Sequence, residues 1–149
     1  KIVNKNLKGP KFSSHLTTIG PFLKFNNSEL RKIVDISKKI NPFKVNLIKY
    51  ELNDQKFTAF FIKINKTKEL LNAKKKFSKT NYVRENKRYN PHISLYYGKK
   101  NNDLKEKVIR KLPKLNRLVT IDKICIVDVN EKISQWKIIK KIKLKNEKN

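Results

Sequence analysis

The chain has 149 residues, enough for one domain with a sizeable core and too few for two independent domains of ordinary size. Lys and Arg number 38 against 12 Asp and Glu, a formal net charge of +26, yet 38% of residues are hydrophobic and fall in periodic segments, which excludes a disordered polyelectrolyte. The single cysteine, Cys125, excludes an internal disulfide and a cysteine-rich zinc site.

No apolar run approaches the roughly 18 residues that a membrane span needs. The segment Lys1–Asn6 lacks the apolar core of a signal peptide, so the expectation is a cytoplasmic protein with no membrane contact. The first residue is not Met, which leaves the true start open. The basic excess is carried by 33 Lys against 5 Arg, beside 18 Asn and 17 Ile but 2 Ala and 3 Gly, the pattern of an AT-rich coding sequence. Compositional bias and selection for a polyanion therefore weigh about equally. Whatever its origin, such a field attracts nucleotides or RNA.

In chain order, Phe12–Ile19 is β-prone and stops at the turn signal Gly20-Pro21. From Ser28, residues Leu30, Ile33, Val34, Ile36 and Ile40 fall at helical spacing, with Asn27 or Ser28 as cap, Glu29 in the first turn and Asn41-Pro42 as the stop. Residues 43–47 alternate, and the run 57–64 is apolar on both faces, which predicts a hairpin of an exposed and a more buried strand. Thr67 caps a short helix carrying Leu70, Leu71 and Phe77, and residues 78–90 form a basic, tyrosine-bearing loop.

The second half opens on Pro91–Gly98, a β-rich run closed by glycine. A helix over 103–112 turns Leu104, Val108, Ile109 and Leu112 inward and ends at Pro113. One strand over 118–129 alternates with Cys125 as a small core residue, and a last strand carries Trp136, Ile138, Ile142 and Leu144 inward before a polar tail, from Lys145, that is expected to fray.

The two halves share one order: histidine strand, turn, helix, strand, strand. His15 and His92 lie 77 positions apart and the following helices start 75 apart, which suggests an internal duplication. The expected fold is therefore α+β: a single bilobal domain over 1–149, its pseudo-symmetric lobes (about 11–77 and 91–144) each an antiparallel sheet with flanking helices, around a central groove.

Both histidines begin the pattern His-x-[Thr/Ser], as His15-Leu16-Thr17 and His92-Ile93-Ser94. With 13 Ser and Thr in 149 residues, the chance of this at both positions is about 0.8%. In a strand, i and i+2 share a face, so each motif projects an imidazole beside a hydroxyl. Histidine changes charge between pH 5 and 8 and serves as base or acid, while the hydroxyl donates to a phosphate oxygen. Two such pairs supply a base, an acid and two donors with no metal or other cofactor. One imidazole deprotonates water and the other protonates the departing sugar oxygen.

These motifs, their spacing and the two-lobed order resemble the two-histidine (2H) phosphoesterase superfamily, with Pro91-His92-Ile93-Ser94-Leu95-Tyr96-Tyr97-Gly98 closest to the second motif of its cyclic phosphodiesterase branch. The resemblance runs from about Phe12 to Leu144. It implies metal-independent hydrolysis of 2′,3′-cyclic phosphates of nucleotides or RNA ends to 2′-phosphates by a monomer, with His92 as base, His15 as acid, and Thr17 and Ser94 holding the phosphate. The tyrosine before the family's glycine aligns with Tyr97 as a contact to the substrate base, whereas strict alternation puts Tyr96 on the His92 face. Arg84 and Arg88, with Lys87 between them, would close a basic lid over a phosphate, and a solvated loop is the competing reading. Cleavage of 2′,5′ linkages or cyclic oligonucleotides fits the same motifs, and a non-catalytic RNA-binding module fits the charge.

Overall fold

Two apolar-rich stretches flanking Asn53-Asp54-Gln55 build the centre of the molecule. In the computed structural model, which describes residues 2–22, 24–83, 88–115, 117–130 and 132–145, they form strands β1 (Phe43–Leu52) and β2 (Phe60–Ile64). The two pair antiparallel from Leu47↔Ile64 to Leu52↔Phe60, joined through a 3₁₀ turn at Lys56–Thr58. Strand β3 (His92–Tyr96) adds to the free edge of β2 and β4 (Leu118–Ile121) to that of β1, giving one antiparallel sheet in the order β3-β2-β1-β4. Strands β5 (Lys123–Asp128) and β6 (Lys137–Lys143) form a separate antiparallel ribbon. The fold is thus mixed α and β, as expected, with strands from both halves of the sequence in the main sheet.

Among the described residues four helices complete it: α1 (Ile2–Leu7), α2 (Asn27–Ser37), α3 (Lys68–Phe77) and α4 (Asn102–Ile109). Their starts follow capping chemistry. Thr67 Oγ1 accepts from the Leu70 amide at 3.1 Å, as the sequence predicts, whereas α2 is capped by Asn26, whose Oδ1 accepts from Glu29 N at 3.0 Å, rather than by Asn27 or Ser28. One apolar cluster joins α2, α3, β1, the end of β2 and the β6 end through Ile33, Val45, Ile64, Leu70, Phe77 and Leu144, and a second joins α1, α4 and the β2–β3 pair through Leu7, Phe60, Tyr96 and Val108. Among the described residues no helix is long and apolar enough to cross a membrane.

Six expectations change. The segment 12–19 makes a single antiparallel bridge, Leu16↔Ile93, rather than a strand, and the carbonyl of Ser13 is bonded to the His15 ring. Helix α1 was not foreseen, being too short for a periodic signal beyond the i,i+4 pair Val3 and Leu7. In α4 it is Lys105 and not Leu104 that turns inward, because its ammonium donates to the carbonyls of Asn53 (3.1 Å) and Ala59 (3.2 Å) while its stem fills apolar space.

The alternation across 118–129 breaks at Asp122-Lys123, two consecutive exposed residues where the chain leaves one sheet for the other. The phase flips there, so Ile124 and Ile126 face the core and Cys125 is exposed. Trp136 precedes β6 instead of packing within it, and Ile138 is 40% exposed while Ile142 and Leu144 are buried. Lys145, where the tail was expected to begin fraying, is instead held by its amide donating to the Ile40 carbonyl at 2.9 Å, and residues 146–149 lie outside those described.

Phe60 is fully buried where the start of β2 meets the α1–α4 cluster. Urea denaturation will show Phe60→Ala costing about 3–5 kcal/mol. Thr67→Ala will cost about 1 kcal/mol, the value of a lost N-cap. Equal costs for the two would overturn this placement of the core.

Candidate active site

The bridge Leu16↔Ile93 is antiparallel, so its neighbours fall in register: Thr17 stands opposite His92 and His15 opposite Ser94. Leu16 and Ile93 pack toward the first apolar cluster. Alternation then sends His15, Thr17, His92 and Ser94 to the other face of the sheet. The structure thus brings together the four residues that the two His-x-[Thr/Ser] patterns single out.

Both imidazoles are held alike. His15 Nδ1 lies 2.7 Å from the Ser13 carbonyl and His92 Nδ1 lies 2.8 Å from the Asn90 carbonyl, each two residues upstream. A carbonyl only accepts, so in the neutral ring Nδ1 carries the proton and Nε2 presents the lone pair. Each ring is also wedged by aromatics: His92 by Phe61 at 5.0 Å between centroids, and His15 by Phe12 and Trp136, both at 6.3 Å.

The pairing of β2 with β3 decides between the two tyrosines. Its register runs Lys63↔His92, Ile62↔Ile93 and Phe61↔Ser94 but then Phe60↔Tyr96, so Leu95 is an extra residue, a β-bulge. Past it the alternation is reversed. Tyr96 turns into the second core, where an added Cβ at Gly9 or at Gly98 (φ +153°) would run into its ring or hydroxyl, and it takes no part in the site. Tyr97 turns to the histidine side, its hydroxyl hydrogen-bonded to the Ser94 side chain. Burial pushes the Tyr97 phenol up and that bond offsets part of the rise.

Tyr97 does not offer an open ring face. Phe12 stacks on it at 4.4 Å and 19°, Phe57 meets it edge-on at 5.8 Å, and Trp136 lies at 5.9 Å. The result is an aromatic wall beside His15. Phe12, Phe57 and Trp136 were not predicted for this role, and Trp136 was expected in the core. Their only sequence signal is aromaticity, because what gathers them is the tertiary path.

On the His92 side the wall is cationic. Lys63 is the cross-strand partner of His92, and its ammonium reaches Glu51 at 3.3 Å, with Lys49 on the same carboxylate oxygen at 3.0 Å. Burial pushes the Glu51 carboxyl up, and the two lysine hydrogen bonds more than offset this, leaving it below its ordinary value. Tyr89 Oη donates to the Thr17 carbonyl at 3.2 Å, tying the loop before β3 to the first motif. Of the expected basic lid, Arg88 is exposed next to Tyr89, while Arg84 and Lys87 lie outside the described residues.

No protein-family model matches the chain, and no curated protein matches it.

Two outcomes check this geometry. Long-range ¹⁵N–¹H spectra will show the Nδ1–H tautomer for both neutral imidazoles, and an Nε2–H form at either would overturn the backbone clamps. Burial raises the Tyr89 phenol to about 12. With its folded value above its unfolded one, Tyr89 contributes stability that is present below about pH 10 and lost as pH rises through 12. The alkaline loss of stability will be shallower in Tyr89→Phe than in the parent, and identical curves would contradict it.

Proposed function

We propose that this protein is a metal-independent, monomeric, cytoplasmic 2H-type cyclic phosphodiesterase that hydrolyses a 2′,3′-cyclic phosphate to a 2′-phosphate. The observation that supports the reading best is the repeated clamp: two imidazoles on one sheet face, each with Nδ1 on the i−2 carbonyl and a hydroxyl two residues downstream. The Leu16–Ile93 bridge is then the pseudo-twofold axis of a two-lobed molecule, and the groove runs over the four polar side chains.

In this mechanism a phosphate lies between the rings, its oxygens held by Thr17 and Ser94. His92 Nε2 takes a proton from water as the water oxygen bonds to phosphorus. The bond from phosphorus to the sugar O3′ breaks, and protonated His15 delivers its proton to that oxygen. The hydroxyls stabilise charge as it gathers on the phosphoryl oxygens. The aromatic wall keeps bulk water from the His15 side, and Lys63 and Arg88 supply positive charge on the other.

With EDTA present, the protein will open a nucleoside 2′,3′-cyclic phosphate to the 2′-phosphate with a bell-shaped pH–rate profile. His15→Ala or His92→Ala will each lower kcat by about 10²-fold or more. Thr17→Val or Ser94→Ala will lower it by about 10²-fold, as for one lost oxyanion donor. Activity in His92→Ala within tenfold of the parent would overturn the reading. Turnover restricted to 2′,5′-linked or cyclic oligonucleotides would move the substrate within the same chemistry. RNA retention without turnover, unaffected by either histidine, would instead establish a binding module.

A further inference from the structure

We propose that the substrate is an RNA strand rather than a mononucleotide, and that a cavity beside His92 seats the phosphate one nucleotide before the cyclic end. This rests on the phosphodiesterase reading and names its substrate class. The cavity holds about 510 Å³ and is lined by Lys63, Lys66 and Arg88, by Asn65 and Asn90, by Tyr89 and by Ile48 and Ile64, with no carboxylate among the described residues of its lining.

Its position follows from the strands. Beta-strand pairing in β1–β2 slips between Leu47 and Lys49, so Ile48 is an extra residue, and the cavity opens at this second bulge, with Ile48 in its wall. Bulges bend a strand and break its ladder, and here the break makes room at the end of β2, where Ile64-Asn65-Lys66 leave the sheet. Two walls are shared with the site: Asn90, whose carbonyl clamps His92, and Tyr89, whose hydroxyl bonds the Thr17 backbone.

Chemistry selects the occupant. Lys63, Lys66 and Arg88 line a recess roomy enough for a nucleotide-sized group, and single-stranded nucleic acid is bound through cation contacts to its backbone phosphates. Asn90 borders the cavity and its carbonyl holds the His92 ring at 2.8 Å, so the cavity adjoins the imidazole, where the neighbouring nucleotide of a strand would lie. A mononucleotide would fill the histidine face and leave the cavity empty, whereas a strand fills both. Lys63 already shares Glu51 with Lys49, so Lys66 and Arg88, both exposed, are the cations that a phosphate would engage most directly.

The test measures binding to His92→Ala protein, with His92→Gln as a second background, for two probes across a salt series: a nucleoside 2′,3′-cyclic phosphate and an RNA trinucleotide ending in the same group. The trinucleotide will bind at least about tenfold tighter. Lys66→Ala with Arg88→Ala will remove most of that gain and flatten its log K against log salt slope by about 1.4, two contacts at about 0.7 each for a single strand. Lys107→Ala with Arg110→Ala, a charge-matched pair at the exposed side and end of α4, will leave the gain intact. Equal affinity for the two probes, or the same loss from both variant pairs, would overturn the proposal. Turnover of both probes is then followed with His92 restored. Turnover without a trinucleotide gain defeats the cavity assignment alone, and a cavity-dependent gain without turnover supports the cavity and defeats the phosphodiesterase reading.

Discussion

A single antiparallel bridge between Leu16 and Ile93 is the constraint on which the site depends. The first histidine segment makes no ladder of its own, so this one contact sets its register against β3. A slip of one residue would turn His15 and Thr17 into the apolar layer and bring Leu16 out. The slip is opposed from both sides: Leu16 packs against the same cluster as Ile93, and Tyr89 bonds the carbonyl of Thr17. Hydrophobic burial on one face thus fixes the arrangement of polar groups on the other.

The second device is paired bulges. At Leu95 the extra residue exchanges the roles of Tyr96 and Tyr97, sending one ring between two glycines and the other beneath Phe12. At Ile48 the extra residue opens the sheet toward the cationic recess. Both interrupt strands of the main sheet next to the histidine pair, and a third shift, between Ile126 and Val127, falls in the β5–β6 ribbon. Lys63 joins the regions, being at once the partner of His92, a ligand of Glu51 and a wall of the recess.

Local patterns in the sequence carried much of this. Helices α2 and α3, the β1–β2 hairpin and β3 were legible because alternation, helical spacing and capping residues agreed, and the shared face of the site residues followed from the i, i+2 rule applied twice. What was not legible depends on contacts distant in sequence. The break at Asp122 looks like continued alternation until two sheets are known to meet there. The inward turn of Lys105 reverses the polarity rule because two carbonyls from the β1–β2 connection happen to lie above it. Trp136 reads as a strand residue by period, and only the path of the β5–β6 ribbon brings it to His15. The bulge that selects Tyr97 has a hint in the neighbouring glycine, but its place at Leu95 is set by pairing with Phe60 and Phe61.

The charge requires a separation between number and placement. Compositional bias and selection for a polyanion weigh about equally as sources of the lysine excess, and a net charge of +26 costs self-repulsion wherever it is carried. Compositional bias acts on how many lysines there are and is blind to which face of a strand receives one. Strand β2 reads Phe60-Phe61-Ile62-Lys63-Ile64: its one cation falls in register with His92, while Ile62 and Ile64 fill the core. Glu51, one of the few carboxylates, stands across the sheet between Lys49 and Lys63 and offsets part of their charge, leaving Lys66 and Arg88 beyond it at the mouth of the recess. The field of the whole molecule draws anions to it without selectivity. Register alone decides which cations stand close to the two imidazoles.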